Sequence, residues 1–185
     1  LNEAFSFERC SKSGAKFDIE KAKWYNHQYL MKMPDTVLAE LYEPTLIEKG
    51  INSTTDKVSK VVSLVKERIH FVSELWDQTS YFFVAPESYD EKTVRKRWKE
   101  DTPQYMQQLV ELNMQMDDFS AHNQEKIVME WIKANELHTG NIMNAYRLAI
   151  VGEGKGPHIF DITEIIGKEE TQNRLKRAIT TLSVI

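Results

Sequence analysis

The sequence predicts an all-α protein built from two packed helical subdomains. Three observations lead there. Apolar residues recur at three- and four-residue spacing through almost every segment. The 185 residues include only 7 glycines and 5 prolines, too few for a chain rich in turns and bulges. Only Tyr81-Phe82-Phe83-Val84 looks strand-like, and Pro86 cuts it short. It is read as an irregular, buried end to the helix before it.

The elements follow in order. Pro34-Asp35 opens a helix, Pro44 is expected to kink it, and Gly50 ends it. Val58, Val61, Val62, Val65, Ile69, Val72 and Trp76 form one stripe, read as a single long helix behind a Thr54-Thr55-Asp56 cap. After the break at residues 86–90, Asp90 is placed to cap the next helix. Tyr105, Leu109, Leu112 and Met116 repeat the helical spacing. So do Ile127, Val128, Trp131 and Ile132 behind a Ser120 cap, and Leu175, Ala178, Ile179 and Leu182 at the end. Gly140, Gly152 and Gly167 each follow an apolar stretch, where a left-handed residue stops a helix. About eight helices are expected. Residues 1–33 form a leading tail, 34–86 a first subdomain and 87–185 a second.

Composition narrows the function. With 41% hydrophobic and 28% charged residues the chain is ordinary for a globular protein. One cysteine, Cys10, excludes an internal disulfide, and the five scattered histidines show no metal-ligand spacing. No metal site and no catalytic residue is expected. No apolar run approaches the roughly 18 residues of a membrane span, and no secretory leader is visible. A start at Leu1 rather than methionine suggests part of a longer protein. The net charge of -4 neither advertises nor excludes nucleic-acid binding, because a local basic face matters more than the total.

Two stretches carry possible chemistry. Gly152-Glu153-Gly154-Lys155-Gly156-Pro157 joins two predicted helices. Its open backbone N–H groups and the following helix start suit a phosphate or a base edge, although for the loop alone a plain helix–helix turn is the favoured reading. The basic sets Lys92, Arg95, Lys96, Arg97 and Lys99, then Arg174, Lys176 and Arg177, fit either a contact surface or solvated helix faces.

With their flanks these stretches resemble a known family. Phe5-Ser6-Phe7-Glu8-Arg9-Cys10-Ser11-Lys12-Ser13-Gly14-Ala15-Lys16-Phe17-Asp18 resembles "FSLERVSKSPAVFD" of bacterial glutamyl-tRNA synthetases. Glu20-Lys21, Trp24, Asn26 and Tyr29 fit the family's "EKLxWLNxxYI". Ala145-Tyr146-Arg147-Leu148-Ala149-Ile150-Val151-Gly152 is similar to "QPLRVALTG", and Gly156-Pro157-His158-Ile159-Phe160 to "GPGLF". Gly167-Lys168-Glu169-Glu170-Thr171, then Arg174-Leu175 and Arg177-Ala178-Ile179, resembles "GKEETLRRLERAL". The resemblance runs from Phe5 to Ile179. Gly14, Val151 and His158 depart from the family's usual proline, threonine and small residue. Arg9-Cys10-Ser11-Lys12-Ser13 mimics a KMSKS loop but matches a different family segment, and no HIGH-like motif is present.

The resemblance implies a cytoplasmic, class I anticodon-binding region without its N-terminal catalytic domain. The partner is tRNA(Glu), and ATP and magnesium serve the parent enzyme rather than this region. Arg147, Gly156, Pro157 and Ile159 occupy positions the family uses at the anticodon. Arg68, in Lys66-Glu67-Arg68-Ile69, matches the "LKERAKTL" arginine that reads the third anticodon base. An arginine fork offers donors to the cytosine acceptors there. Arg68 also sits at the rim of the apolar stripe, where an arginine can lay its stem on the core and its head in water. Trp24, Asn26 and Tyr29 are expected to pack the leading tail in place. A helical protein-interaction module remains the alternative.

Overall fold

The computed structural model describes residues 17–182. Cys10 and most of the first family-like segment lie outside them. The described residues form ten α-helices and no strand. The helices are α1 (Ile19–Lys32), α2 (Asp35–Glu48), α3 (Thr55–Val65), α4 (Leu75–Thr79), α5 (Glu91–Arg97), α6 (Thr102–Gln115), α7 (Ala121–Ala134), α8 (Thr139–Val151), α9 (Ile159–Ile166) and α10 (Lys168–Leu182).

Short-range chemistry sets most of their ends. Thr54, Asp90 and Ser120 each accept the backbone N–H three residues on, at 3.3, 2.7 and 3.4 Å, the bond that satisfies an orphan donor of a first turn. Pro34 opens α2, which runs through Pro44 to Glu48. At its end the Ile51 N–H reaches back to the Leu46 carbonyl and the Gly50 N–H to Ile47, with Gly50 at φ 72°. That pair of bonds is a Schellman ending, which needs a positive φ. Gly152 and Gly167 stop α8 and α9 at φ 86° and 89°. Gly140 does not stop a helix: it lies in the first turn of α8, and His138 caps that turn through Asn141.

The long helix expected after Thr54 is interrupted. α3 ends at Val65, a 3-10 turn covers Lys66–Arg68, Ile69 is extended, and a second 3-10 turn at Val72–Glu74 leads into α4. Side chains, two of them from α1, take the backbone bonds that a continuous helix would use. Asn26 donates to the His70 carbonyl, and His27 Nδ1 donates to Ile69 O at 2.8 Å. Glu74 Oε2 accepts the His70 N–H at 2.7 Å. The apolar stripe survives the break. Val58 through Ile69 stay buried, while Val72 and Trp76 are partly buried against the same cluster. The irregular segment does end as expected, with Tyr81 and Phe82 buried in a 3-10 turn at Ser80–Phe82.

The buried side chains form two clusters. One joins α1 to α4 around Leu38, Tyr42, Val62 and Leu75. The other gathers α5 to α10 around Met106, Leu109, Leu148, Phe160 and Leu175. α3 serves both, because Val61 faces the second cluster while Val58, Val62 and Val65 face the first. The packing role expected for Trp24 and Tyr29 is not seen among the described residues. They are 57% and 71% exposed, and of the three named tail residues only Asn26 anchors α1.

Candidate functional site

Residues 152–157 turn the chain from α8 into α9 and lie against the segment after Tyr81. A Cβ on Gly152 would sit 2.7 Å from Pro86 Cβ and 2.8 Å from the Ser88 carbonyl. Only glycine fits that approach. The Gly152 carbonyl accepts the Asp90 N–H at 2.8 Å, so the loop start and the cap of α5 share one hydrogen bond. At the other end Gly156 has φ 131°, and a Cβ there would lie 3.3 Å from both Arg147 Nη1 and the Tyr81 hydroxyl.

Arg147 projects from the middle of α8 and donates from Nη1 to the Pro157 carbonyl at 2.7 Å. One guanidinium thus ties helix to loop. The neighbouring acids do not claim it: Glu153 pairs with Lys155 at 3.2 Å, and no carboxylate of the described residues lies within ion-pair distance of Arg147 or Arg68. Arg68, exposed at the end of its 3-10 turn, comes close enough to act on both Arg147 and Tyr81. Burial lowers the Arg147 pKa, and the Arg68 charge lowers it further. Burial raises the Tyr81 hydroxyl well above the usual phenol range, against the pull of the two arginines.

Four of the five residues expected at the site therefore gather: Arg68, Arg147, Gly156 and Pro157. Ile159 starts α9, but its side chain is 1% exposed and packs in the core. Its nearest approach to a ligand would be through the backbone of the first turn.

The basic sets divide. Lys92, Arg95 and Lys96 stay exposed on α5, whereas Lys99 lies beyond that helix and donates to the Arg95 carbonyl at 2.8 Å. Arg174 is not on a solvated face. It is 3% exposed and donates from Nη1 to Tyr81 O at 2.6 Å and Ile150 O at 2.9 Å, and from Nε to Glu170 at 2.7 Å. Arg177 donates to the Pro86 carbonyl. These two arginines hold the Tyr81–Pro86 segment against α8 and α10. The sequence holds a signal for Arg174: it stands in the buried series Thr171, Arg174, Leu175, Ala178, Leu182. Tyr81 carries no such signal, because its neighbours across the site come from 13 residues before it and 66 after.

Residues 37–179 match the family model described as an anticodon binding domain. The chain belongs to this family. Among curated proteins it is 55% identical, over 178 residues, to the glutamate–tRNA ligase of Bacteroides thetaiotaomicron, covering 96% of this chain and 35% of that protein. It is 55% identical over 182 residues to the glutamate–tRNA ligase of Porphyromonas gingivalis, covering 98% of this chain and 36% of that one. The chain thus spans little more than a third of these relatives. A crystal structure of a glutamate tRNA ligase from Elizabethkingia meningosepticum, in complex with its amino acid, superposes with a TM-score of 0.90 at 39% identity, over 96% of this chain and 35% of that one. The Elizabethkingia anophelis enzyme superposes at 0.85 and 37% identity, over 96% and 34%. The all-α, anticodon-binding architecture expected from the sequence is the one these structures share.

No described helix is long and apolar enough to cross a membrane. No group of three or more His, Cys, Asp and Glu side chains among the described residues is placed to hold a metal ion.

Proposed function

We propose that this chain is the part of a cytoplasmic glutamate–tRNA ligase that recognises the anticodon of tRNA(Glu). On this reading Arg68, Arg147 and the Gly156-Pro157 turn form the contact, with the first turn at Ile159 beside them. One observation carries the proposal. Two arginines 79 positions apart in sequence come within electrostatic reach of Tyr81 and of each other, and among the described residues no carboxylate is paired to either. Like charges brought together without a counter-ion cost stability, so a negatively charged or acceptor-rich ligand is the natural partner. Glutamate, ATP and magnesium belong to the catalytic domain of the longer polypeptide, and no residue of this chain is assigned to them. Residues 1–33 form the tail of the stem-contact region, and 34–86 and 87–185 the two anticodon-binding subdomains, with α3 bridging their cores.

The test uses the ligase assembled with this chain. It compares tRNA(Glu) carrying cytosine or uracil at the third anticodon position, with wild type, Arg68→Ala and Arg147→Ala. Loss of an arginine–base contact is expected to cost about 1–3 kcal/mol, or roughly 5- to 150-fold in discrimination, by analogy with base readout in DNA. Glutamate activation should stay unchanged. If both variants keep the wild-type preference and KM for tRNA, the site assignment fails and a helical protein-interaction module becomes the better reading.

A further inference from the structure

Within electrostatic reach of both Arg68 and Arg147 is a side chain with a different hydrogen-bonding capacity. Tyr81 is held at three points. Its carbonyl accepts Arg174 Nη1 at 2.6 Å, its ring lies 4.8 Å from that of Phe82, and its hydroxyl is close to the glycine whose Cβ would come within 3.3 Å. The residue is 7% exposed. Its hydroxyl has no hydrogen-bond partner among the described residues, and it is not counted with the buried orphans Tyr89 and Tyr146. A rigidly held hydroxyl with free bonding capacity is therefore offered at the site.

The two arginines can only donate. A cytosine presents two acceptors, O2 and N3, but also an exocyclic amino group that needs an acceptor. A site made of guanidinium groups alone would leave that amine unpaired or facing water. A neutral phenol supplies the missing acceptor, and burial keeps Tyr81 neutral at any physiological pH.

We infer that Tyr81 is a further base-contacting residue of this site, its hydroxyl bonding the 4-position substituent of the base whose other edge meets the arginines: it accepts from a cytosine amine and donates to a uracil O4, so it adds affinity while the arginines discriminate. The inference rests on the anticodon-binding reading above, and the experiment separates the two. Tyr81→Phe is placed beside Arg68→Ala and Arg147→Ala in the assembled ligase. The kcat/KM ratio for tRNA with cytosine against uracil at the third anticodon position is measured, together with glutamate activation and the thermal midpoint. Tyr81→Phe should lower kcat/KM for both tRNAs about 2- to 12-fold through KM, the range for loss of one ordinary hydrogen bond, and leave their ratio to the arginines. Activation and thermal midpoint should hold, since the ring and its packing remain. If the arginine variants lose the preference and Tyr81→Phe leaves KM for both tRNAs at the wild-type value, or lowers the thermal midpoint along with it, Tyr81 is only a structural prop and the inference is overturned. If no variant changes the ratio, the anticodon reading itself fails and takes the inference with it.

Discussion

Arg174 donates from Nη1 to the carbonyl of Tyr81 at 2.6 Å, across 93 positions of sequence. The same nitrogen reaches Ile150 O at 2.9 Å, so one buried guanidinium joins α10 to α8 and to the turn that carries Tyr81. Glu170, one turn earlier on α10, supplies the counter-charge at 2.7 Å. The site's geometry thus depends on a residue outside it.

Arg174→Met should be among the most damaging single changes. It removes the donor from two buried carbonyls and leaves Glu170 without its partner. Each buried carbonyl left unpaired costs about 1–3 kcal/mol, whereas Glu170, 38% exposed, returns to water. For a domain of this size a loss of about 2–6 kcal/mol lowers the thermal midpoint by roughly 4–24 °C. Thermal unfolding followed by far-UV circular dichroism checks it. Arg174→Lys should recover little, because an ammonium cannot reproduce the planar fork. A midpoint within about 2 °C of wild type would show that the carbonyls find other donors.

Gly50 and Gly152 predict different costs for the same substitution. Both have positive φ, 72° and 86°. A Cβ on Gly50 meets nothing within 4 Å, whereas on Gly152 it meets Pro86 at 2.7 Å and the Ser88 backbone at 2.8 Å. Gly50→Ala should cost only the left-handed backbone penalty, about 1–2 kcal/mol. Gly152→Ala should cost clearly more, because backbone must move, and it should also disturb the Asp90 bond to the loop. Denaturant unfolding of the two variants decides; equal losses would rule out the close approach.

Asp90 makes the cap of α5 sensitive to acid. Hydrogen bonds from the Thr93 hydroxyl and the Thr93 backbone N–H hold its carboxyl below its ordinary value of 3.8. The unfolded chain therefore takes up the proton first as pH falls. The stabilisation is complete above the ordinary carboxylate range and is lost as pH drops below 3.8 through the depressed value. Asp90→Asn can still cap but cannot titrate. The difference in thermal midpoint between wild type and Asp90→Asn should be constant near neutrality and shrink in acid. A difference that grows on acidification would contradict this.

Tyr42 gives the opposite limb. It is fully buried, its hydroxyl lies 2.7 Å from Thr79 Oγ1, and burial pushes its pKa from 10.0 to about 12. The unfolded chain ionises first as pH rises. Stability is intact below pH 10 and falls as pH climbs towards 12. A shift of that size corresponds to about 2–3 kcal/mol. Tyr42→Phe should be weaker by about 1 kcal/mol at neutral pH for the lost hydrogen bond, yet lose less on alkalinisation. Unfolding curves at neutral and alkaline pH test both parts.

The sequence by itself determined where most helices begin and end, and which faces are buried. Thr54, Ser120 and Asp90 act on donors three residues away, and Gly50, Gly152 and Gly167 on carbonyls within one turn, so the information is local. The family motifs likewise marked Arg147 and the glycine loop before any geometry was known. Tertiary structure decided the rest. The stripe from Val58 to Trp76 has helical spacing throughout, but spacing reports only which side faces the core. It cannot report that Asn26, 44 residues earlier, takes the His70 carbonyl and helps divert the backbone after Val65. Arg174 stands in the buried series of α10 as well as in a basic run, but only packing of α10 on α8 supplies the Ile150 carbonyl it binds. Arg68 comes within electrostatic reach of Arg147 only in the folded chain, from a 3-10 turn after α3 to the middle of α8. Tyr81 reaches both arginines because Arg174 and Arg177 pin its segment between helices distant in sequence. Each of these contacts joins residues far apart along the chain, where no periodicity within one element can register them.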